Sequence, residues 1–177
     1  MRIIVVGAGQ VGASIAANLA ESHEVIVIDV DAERVDELTY AADVLPIHGD
    51  GTDVENLIDA GIEDAQMLIA STDDDETNIV TCGTAKTLTD CFTIARVKNT
   101  RFLDTWRKAK GEALGVDFMV GTNLLTASET VRLSGLPAAR DVDTFAGGLV
   151  QMAEFEIPVG SDVAGQTVQE ADRFDSL

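Results

Sequence analysis

A glycine-rich turn directly after an apolar run near the N-terminus constrains the fold of this chain more than any other feature. Residues 3–6 read Ile-Ile-Val-Val, and Gly7, Gly9 and Gly12 follow in the pattern G-x-G-x-x-G. The pattern alone is weak, but a position between a predicted strand and a predicted helix is what a dinucleotide-binding turn requires. The N–H groups at such a helix start, together with the helix dipole, favour a bound anion.

Each glycine of the turn has its own expected role. Gly7 permits the tight turn, Gly9 lets the backbone approach a pyrophosphate, and Gly12 lets the helix pack close to the strand. The next apolar strand, 24–29, ends at Asp29, 22 residues after Gly7. This is close to the spacing of about 20 expected for the acid that binds the adenosine ribose. A carboxylate there also repels a 2′-phosphate, so the pattern favours NAD or another adenosine nucleotide over NADP.

A large excess of acidic residues limits the partners of this chain. It has 31 Asp and Glu against 12 Lys and Arg, a formal net charge of −19, whereas small soluble domains commonly carry about 2–8 charges. Such a surface repels nucleic acid and anionic lipid. The acidic, lysine-poor composition resembles that of proteins from salt-accumulating halophiles, including haloarchaea, so we expect marginal stability in dilute buffer.

Motifs for membrane insertion, secretion and metal binding are missing from the sequence. No apolar run approaches the roughly 18–20 residues that span a bilayer, and the N-terminus reads as a strand rather than a signal peptide. Cys82 and Cys91 have neither a disulfide framework nor a zinc-ligand spacing. We therefore expect a cytoplasmic protein without membrane insertion or a bound metal.

Strand and helix patterns alternate along the first 135 residues, which predicts an α/β fold. Strands are predicted at 2–6, 24–29, 43–48, 66–71, 92–97 and 117–120. Helices are predicted at 10–21, 32–41, 53–60, 75–88, 100–113 and 122–134. The apolar strand interiors favour a doubly wound, six-stranded parallel sheet with helices on both faces. The expected Rossmann order is 3-2-1-4-5-6, with the ligand crevice where the order reverses.

Five segments together identify a resemblance to a known family. They are IIVVGAGQVG, VIVIDVD, IHGDGT, LIDAGIEDAQMLIASTDDDETNIVTCGTAK and TIARV. In this order they resemble the RCK (or KTN) domain family of TrkA-type regulatory subunits, which serve Trk potassium uptake systems. The resemblance implies a Rossmann-like nucleotide-binding domain over residues 1–135 and a linker over 136–150. The segment EFEIPVGSDVAGQTVQE is similar to the opening of the RCK C-terminal domain. Residues 151–177 are therefore expected to be an incomplete start of that domain. A strand is predicted near 149–157.

The resemblance also implies which residues contact the nucleotide. The expected contacts are Gly7, Ala8, Gly9, Gln10, Val11, Gly12, Asp29, Asp31, Arg34, Asp50, Thr52, Thr72, Asp73 and Arg96. The glycine turn would hold the phosphates, and Asp29 would hold the adenosine ribose. The expected ligand is NAD or NADH, with ATP and ADP as further candidates.

Several of these positions have structural alternatives. For Thr52 a turn or helix-cap role is as plausible as a ligand role, whereas the ligand role is favoured for Asp50. Arg96 lies within an apolar strand and needs a partner, which is either the nucleotide or neighbouring subunit, or an acid in a structural ion pair. For Asp74 and Asp75, capping a helix is a serious alternative.

Two positions near these are less certain as ligand contacts. Asn78 could face either the cleft or solvent, and Lys98 is expected to be a solvated strand end. Neither is among the expected contacts.

Catalytic groups are missing from the pattern, since His23 and His48 have no paired acid at a recognisable spacing. The resemblance implies that nucleotide occupancy gates a potassium-translocating membrane subunit, with the chain peripheral to the inner face of the membrane. It favours a homodimer or higher ring. The apolar helix face at Leu124, Leu125 and Val131 is either the contact between copies or ordinary core packing. The alternative function is a fragment of a small NAD-dependent dehydrogenase, which would transfer hydride to a carbonyl substrate.

Overall fold

Strands and helices alternate through the first part of the chain, as predicted. The computed structural model describes residues 1–109, 114–135, 139–145 and 150–171, and the chain divides into two units, Met1–Leu125 and Thr126–Leu177. The strands of the first unit are β1 (Arg2–Val6), β2 (Glu24–Asp29), β3 (Leu45–His48), β4 (Met67–Ala70), β5 (Phe92–Val97) and β6 (Phe118–Gly121). The helices are α1 (Gln10–Ala20), α2 (Ala32–Ala41), α3 (Val54–Asp59), α4 (Asp75–Leu88), α5 (Thr100–Lys108) and α6 (Thr122–Gly135).

The six strands form one parallel sheet in the order β3-β2-β1-β4-β5-β6. The predicted fold class and strand order are therefore confirmed. The order reverses between β1 and β4, where Ile3 pairs with Met67 and Val6 with Ala70. Ligands of open α/β sheets lie at the carboxyl ends of the strands beside this reversal.

Alternate residues of the central strands pack against helices on opposite faces of the sheet. Ile4 and Val6 of β1 belong to the cluster that includes Leu57 of α3 and Cys82 of α4. Ile3 and Val5 belong to the other cluster, with Ala16 of α1 and Leu38 of α2. Burial on both faces explains why these strands read as continuous apolar runs in the sequence.

Helix boundaries differ from the predictions by a few residues, and side-chain caps explain most of the helix starts. Asp31, Asp53, Asp74 and Asn99 each accept backbone N–H bonds at the start of the helix that follows them. Helix α5 ends at Lys108, and residues 110–113 of its predicted extent lie outside the described residues.

The second unit contains an antiparallel pair, β7 (Ala139–Phe145) with β8 (Val150–Phe155), and a short helix, α7 (Val168–Ala171). Strand β7 lies inside the segment 136–150 that the sequence predicts as a linker. The sequence of β7, ARDVDTF, does not indicate a strand clearly, because it contains two aspartates. The strand also depends on pairing with β8, which comes later in the chain. The start of an RCK C-terminal domain stays a prediction. None of the described helices is long and apolar enough to cross a membrane.

The glycine turn is packed so closely that two of its positions cannot carry a side chain. Gly7 has a φ of 102°, and a Cβ there would lie 2.8 Å from the backbone nitrogen of Thr72. A Cβ at Gly12 would lie 1.8 Å from the carbonyl oxygen of Gly7. Gly12 is expected to let the helix pack close to the strand, and the structure shows this close approach at Gly7, the residue that follows β1.

Gly12→Ala should destabilise the fold, since its methyl group would overlap the Gly7 carbonyl oxygen. We expect the free energy of unfolding to fall by about 3 kcal/mol, measured by urea denaturation in KCl. Gly9→Ala is the matched control, because its added Cβ would meet only Arg34 Nη1, at 3.7 Å, among the residues that the structure describes. Equal stability of Gly12→Ala and the parent protein would contradict this account of the turn.

Candidate functional site

A cleft of about 650 Å³ lies at the carboxyl ends of the central strands. It is bordered by the glycine turn after β1, the ends of β2 and β5, and the loops after β3 and β4. Its lining includes ten predicted contacts, which are Gly7, Gly9, Gln10, Val11, Asp29, Arg34, Asp50, Thr72, Asp73 and Arg96. Four predicted contacts do not line the cleft but lie against residues that do: Ala8, Gly12, Asp31 and Thr52.

The start of α1 faces the cleft without a side-chain cap. Gly9 is the N-cap residue and makes no side-chain bond, and the first turn of α1 holds no acidic residue. The helices α2 to α5 all have side-chain caps, so α1 alone among these five presents uncapped first-turn N–H groups. Such a helix start attracts an anion.

Asp29 at the end of β2 ties two loops of the cleft together. Its side chain is largely buried, with the residue 8% exposed. One carboxylate oxygen accepts a short hydrogen bond from the N–H of Ala8, and the other accepts the N–H of Asp31 at 2.8 Å. Because each carboxylate oxygen has two acceptor sites, the group that orients the glycine turn retains the capacity to accept a ligand hydroxyl.

Asp31 and Arg34 form a pair at the start of α2. Asp31 caps the helix by accepting from the N–H of Glu33 at 3.0 Å, and its other oxygen lies 3.3 Å from Arg34 Nε. The Arg34 side chain lines the cleft, and its Nη1 lies near Gly9. Asp31 therefore positions Arg34, a cation beside the uncapped start of α1.

In the loop after β3, Asp50 lines the cleft and Thr52 supports it. Asp50 Oδ1 accepts the N–H of Thr52 at 2.9 Å and its hydroxyl at 2.8 Å. Asp53, not Thr52, caps α3, by accepting the N–H of Glu55 at 3.0 Å. For Thr52 the structure therefore favours the turn role over direct contact with a ligand.

Asn78 on α4 clamps the loop that follows β4. It is fully buried, and its Oδ1 accepts both the N–H and the hydroxyl of Thr72, at 2.8 and 2.7 Å. Its Nδ2 donates to the carbonyl oxygens of Thr72 and Arg96, at 3.0 and 2.8 Å. Asn78 therefore faces neither the cleft nor solvent, and it joins the β4 loop to β5.

Arg96, Lys98 and Asp73 form a charged cluster beside this loop. Arg96 Nη1 donates to the carbonyl oxygen of Thr72 at 3.0 Å and lies 3.7 Å from Asp73 Oδ1. Lys98 Nζ donates to the same Asp73 oxygen at 3.0 Å. Lys98 is thus an ion-pair partner rather than a purely solvated strand end, and its hydrogen bond lowers the pKa of Asp73.

Asp74 and Asp75 have different roles, although both lie at the start of α4. Asp74 caps the helix through the N–H of Thr77 at 2.7 Å, which lowers the pKa of its carboxyl group. The carboxylate of Asp75 instead accepts the N–H groups of Lys98 and Asn99, at 2.9 and 2.8 Å. Asp75 therefore holds the loop between β5 and α5.

The supporting roles of Asp75 and Asn78 were missed, although the sequence contains a signal for them. Both belong to the buried side of α4, which continues through Cys82 and Ala85 at spacings of four and three residues. A polar side chain at the start of a buried helical stripe must find internal hydrogen-bond partners. Reading the stripe from Ala85 back to Asp75 would have indicated two structural residues.

Comparison with known proteins identifies the family of the chain. The TrkA-N domain matches residues 3–121. The chain belongs to the TrkA-N domain family. This TrkA-N chain is also 38% identical over 168 residues to the Trk system potassium uptake protein TrkA homolog of Archaeoglobus fulgidus. That alignment covers 95% of the chain and 38% of the relative, and the chain spans less than half the length of the curated relatives that it matches.

Solved structures support the TrkA-N fold. A GsuK channel bound to NAD superposes with a TM-score of 0.68 at 21% identity, covering 96% of the chain and 30% of the channel chain. GsuK bound to ADP superposes with a TM-score of 0.61 at 28% identity, covering 75% of the chain and 33% of the GsuK chain. Together with the family match, these similarities confirm the predicted Rossmann-like fold and the resemblance to the TrkA family.

Asn78→Ala in this TrkA-N domain should loosen the β4 loop, because the partly buried N–H of Thr72 loses its acceptor. We expect the free energy of unfolding to fall by about 2–3 kcal/mol, measured by urea denaturation, and amide exchange at Thr72 to accelerate.

The matched control for this variant is Asn18→Ala. Asn18 is exposed, and within the described part of the chain its side chain bonds only to the carbonyl oxygen of Ser14 in α1. We expect the stability of this control to change by less than about 0.5 kcal/mol. If both variants lost stability equally, Asn78 would have no special role in holding the loop.

Proposed function

We propose that this chain is the nucleotide-sensing part of a regulator of potassium uptake, and that it binds NAD(H), with ATP and ADP as competing ligands. The observation that carries this proposal is the buried Asp29 carboxylate, which lines the cleft and bonds to the glycine turn. The family match and the potassium uptake relatives support the regulatory part. The ADP-bound structure of GsuK, at 28% identity, supports an adenine nucleotide.

The proposed ligand position follows from the charges and donors around the cleft. A pyrophosphate would lie against the uncapped start of α1, with Arg34 as a cationic partner. The adenosine would extend over the ends of β2 and β3, where Asp29 accepts ribose hydroxyls and Asp50 borders the adenine. Since Asp29 is anionic, a 2′-phosphate would be repelled, which favours NAD over NADP.

Hydrogen bonds provide a route by which occupancy could alter the structure beyond the cleft. The Thr72 loop is bonded through Asn78 to β5, and Asp75 is bonded to the N–H groups of Lys98 and Asn99. The carbonyl oxygen of Lys98 in turn accepts from Asn123 Nδ2 of α6 at 3.3 Å. A ligand that moves the Thr72 loop would therefore bias the start of α6, and a regulator requires such differential contacts between its states.

The proposed partner is a potassium-translocating membrane subunit, with the chain acting as a homodimer or higher ring. Two leucines at the start of α6, Leu124 and Leu125, are 42% and 58% exposed, which supports α6 as a contact between copies. The side chain of Val131, which the sequence adds to this face, lies outside the described residues.

Asp29→Asn should weaken nucleotide binding and reduce discrimination between NADH and NADPH. Loss of a charged acceptor for a ribose hydroxyl weakens NADH binding by about 1.5–3 kcal/mol, whereas NADPH gains from removal of the repulsion. Isothermal titration calorimetry with both nucleotides measures the two changes. Asp36→Asn, an equal change of charge at an exposed position of α2, should leave both affinities unchanged.

The regulatory part of the proposal needs a flux measurement. In the native host, cells with Asp29→Asn in place of the parent residue should take up rubidium at a rate that no longer follows the cellular NADH level. Normal nucleotide dependence in that strain, or unchanged NADH affinity of the variant, would refute the proposed role of this cleft.

A further inference from the structure

The cleft has two chemically different halves, on either side of the strand-order reversal. The half over β1, β2 and β3 holds the uncapped helix start, Arg34 and Asp29, and the proposed function places ADP there. The other half lies over β4 and β5 and is lined by Ser71, Thr72, Asp73 and Arg96 among others. The terminal group of any ligand that contains ADP would therefore enter this second half. The residues there determine the relative affinities of ligands that share ADP.

Ser71 places an unsatisfied hydroxyl in the second half. The residue is 3% exposed, and its Oγ has no hydrogen-bond partner among the residues that the structure describes. Its backbone N–H is already bonded to the carbonyl oxygen of Val6 at 2.8 Å, so the residue is held in place. A buried hydroxyl without a partner is unfavourable, and a hydroxyl or carbonyl group of a bound ligand would relieve this.

Both cations of the second half are already paired with Asp73. Lys98 Nζ is held by the carboxylate and the carbonyl oxygen of Asp73, at 3.0 and 2.9 Å. Arg96 Nη1 is directed at the carbonyl oxygen of Thr72 and at the same carboxylate. Arg96 Nε is buried and has no hydrogen-bond partner among the described residues. The Asp73 side chain itself is 78% exposed. A phosphate that enters this half would therefore face a carboxylate rather than a cation.

We propose that Asp73, held by Lys98 and Arg96, makes the second half of the cleft selective for a neutral, hydroxyl-bearing group, such as the second ribose of a dinucleotide, over a third phosphate. Ribose hydroxyls can donate to the Asp73 carboxylate and bond to Ser71 Oγ. A γ-phosphate would meet the repulsion of the exposed Asp73 carboxylate and would compete with it for Lys98 and Arg96. This inference rests on the proposed function and adds a preference for dinucleotides over nucleoside triphosphates.

Three ligands that share ADP isolate the effect of the terminal group. ADP-ribose adds a neutral ribose, ATP adds a phosphate, and ADP itself is the reference. Calorimetric titrations with EDTA present remove the influence of divalent cations on ligand charge. The parent protein should bind ADP-ribose more tightly than ADP, and ATP no more tightly than ADP.

Asp73→Asn should reverse this preference. We expect ATP affinity relative to ADP to rise about tenfold, as removal of a nearby like charge implies, and ADP-ribose affinity relative to ADP to fall. Asp59→Asn, an equal charge change at an exposed position of α3 outside the cleft, should leave both ratios unchanged.

Lys98→Gln provides a second variant in case Asp73→Asn does not fold, which far-UV circular dichroism would reveal. This variant removes one of the two positive charges that neutralise the Asp73 carboxylate. ATP should therefore bind more weakly relative to ADP than it does in the parent protein. A parent protein that prefers ATP to ADP-ribose, or ratios that neither variant changes, would overturn the role of Asp73. Failure of all three nucleotides to bind would instead overturn the proposed function itself.

Discussion

The contact between Gly12 and the carbonyl oxygen of Gly7 is the constraint on which the cleft depends. It leaves no room for a Cβ on Gly12 and presses α1 onto the turn that follows β1. Close packing directs the start of α1 at the cleft, and the absence of a side-chain cap leaves its first N–H groups available to a ligand. Asp29 then holds the same turn through the N–H of Ala8. The proposed phosphate site and the proposed ribose acceptor are thus one connected unit, so we expect a change in either one to displace the other.

The opposite side of the cleft is organised by buried polar side chains rather than by glycines. Asn78 accepts the backbone N–H of Thr72 in the loop after β4, and Asp75 accepts the backbone N–H of Lys98 in the loop after β5. Both side chains project from the first turns of α4. Buried polar groups in low-dielectric surroundings define geometry sharply, because each lost bond leaves an unpaired group. This side of the cleft is therefore joined to β5 and to the start of α6, whereas the glycine side is joined mainly to β2.

The proposed regulatory function requires a conformational change on binding, and the arrangement around the cleft fits this requirement. The described residues place carboxylates, amides and backbone groups around the cleft. The charged cluster of Asp73, Lys98 and Arg96 lies where the two sides differ, and we propose that it responds to what a ligand carries beyond ADP. Differential contacts of this kind are what couple occupancy to a population shift.

The sequence by itself determined the strand order, the glycine turn and the position of Asp29 at the cleft, because these follow from local patterns along βαβ units. The family resemblance added Asp50 and Arg96. The second unit was harder to predict, since β7 depends on pairing with β8 and its own pattern is weak. Only the tertiary structure decided that Thr52 supports Asp50, that Asn78 is buried, and that Lys98 and Arg96 share Asp73. These outcomes depend on which side chains come into contact from strands and helices that are far apart in the sequence. Spacing along the chain does not reveal such contacts.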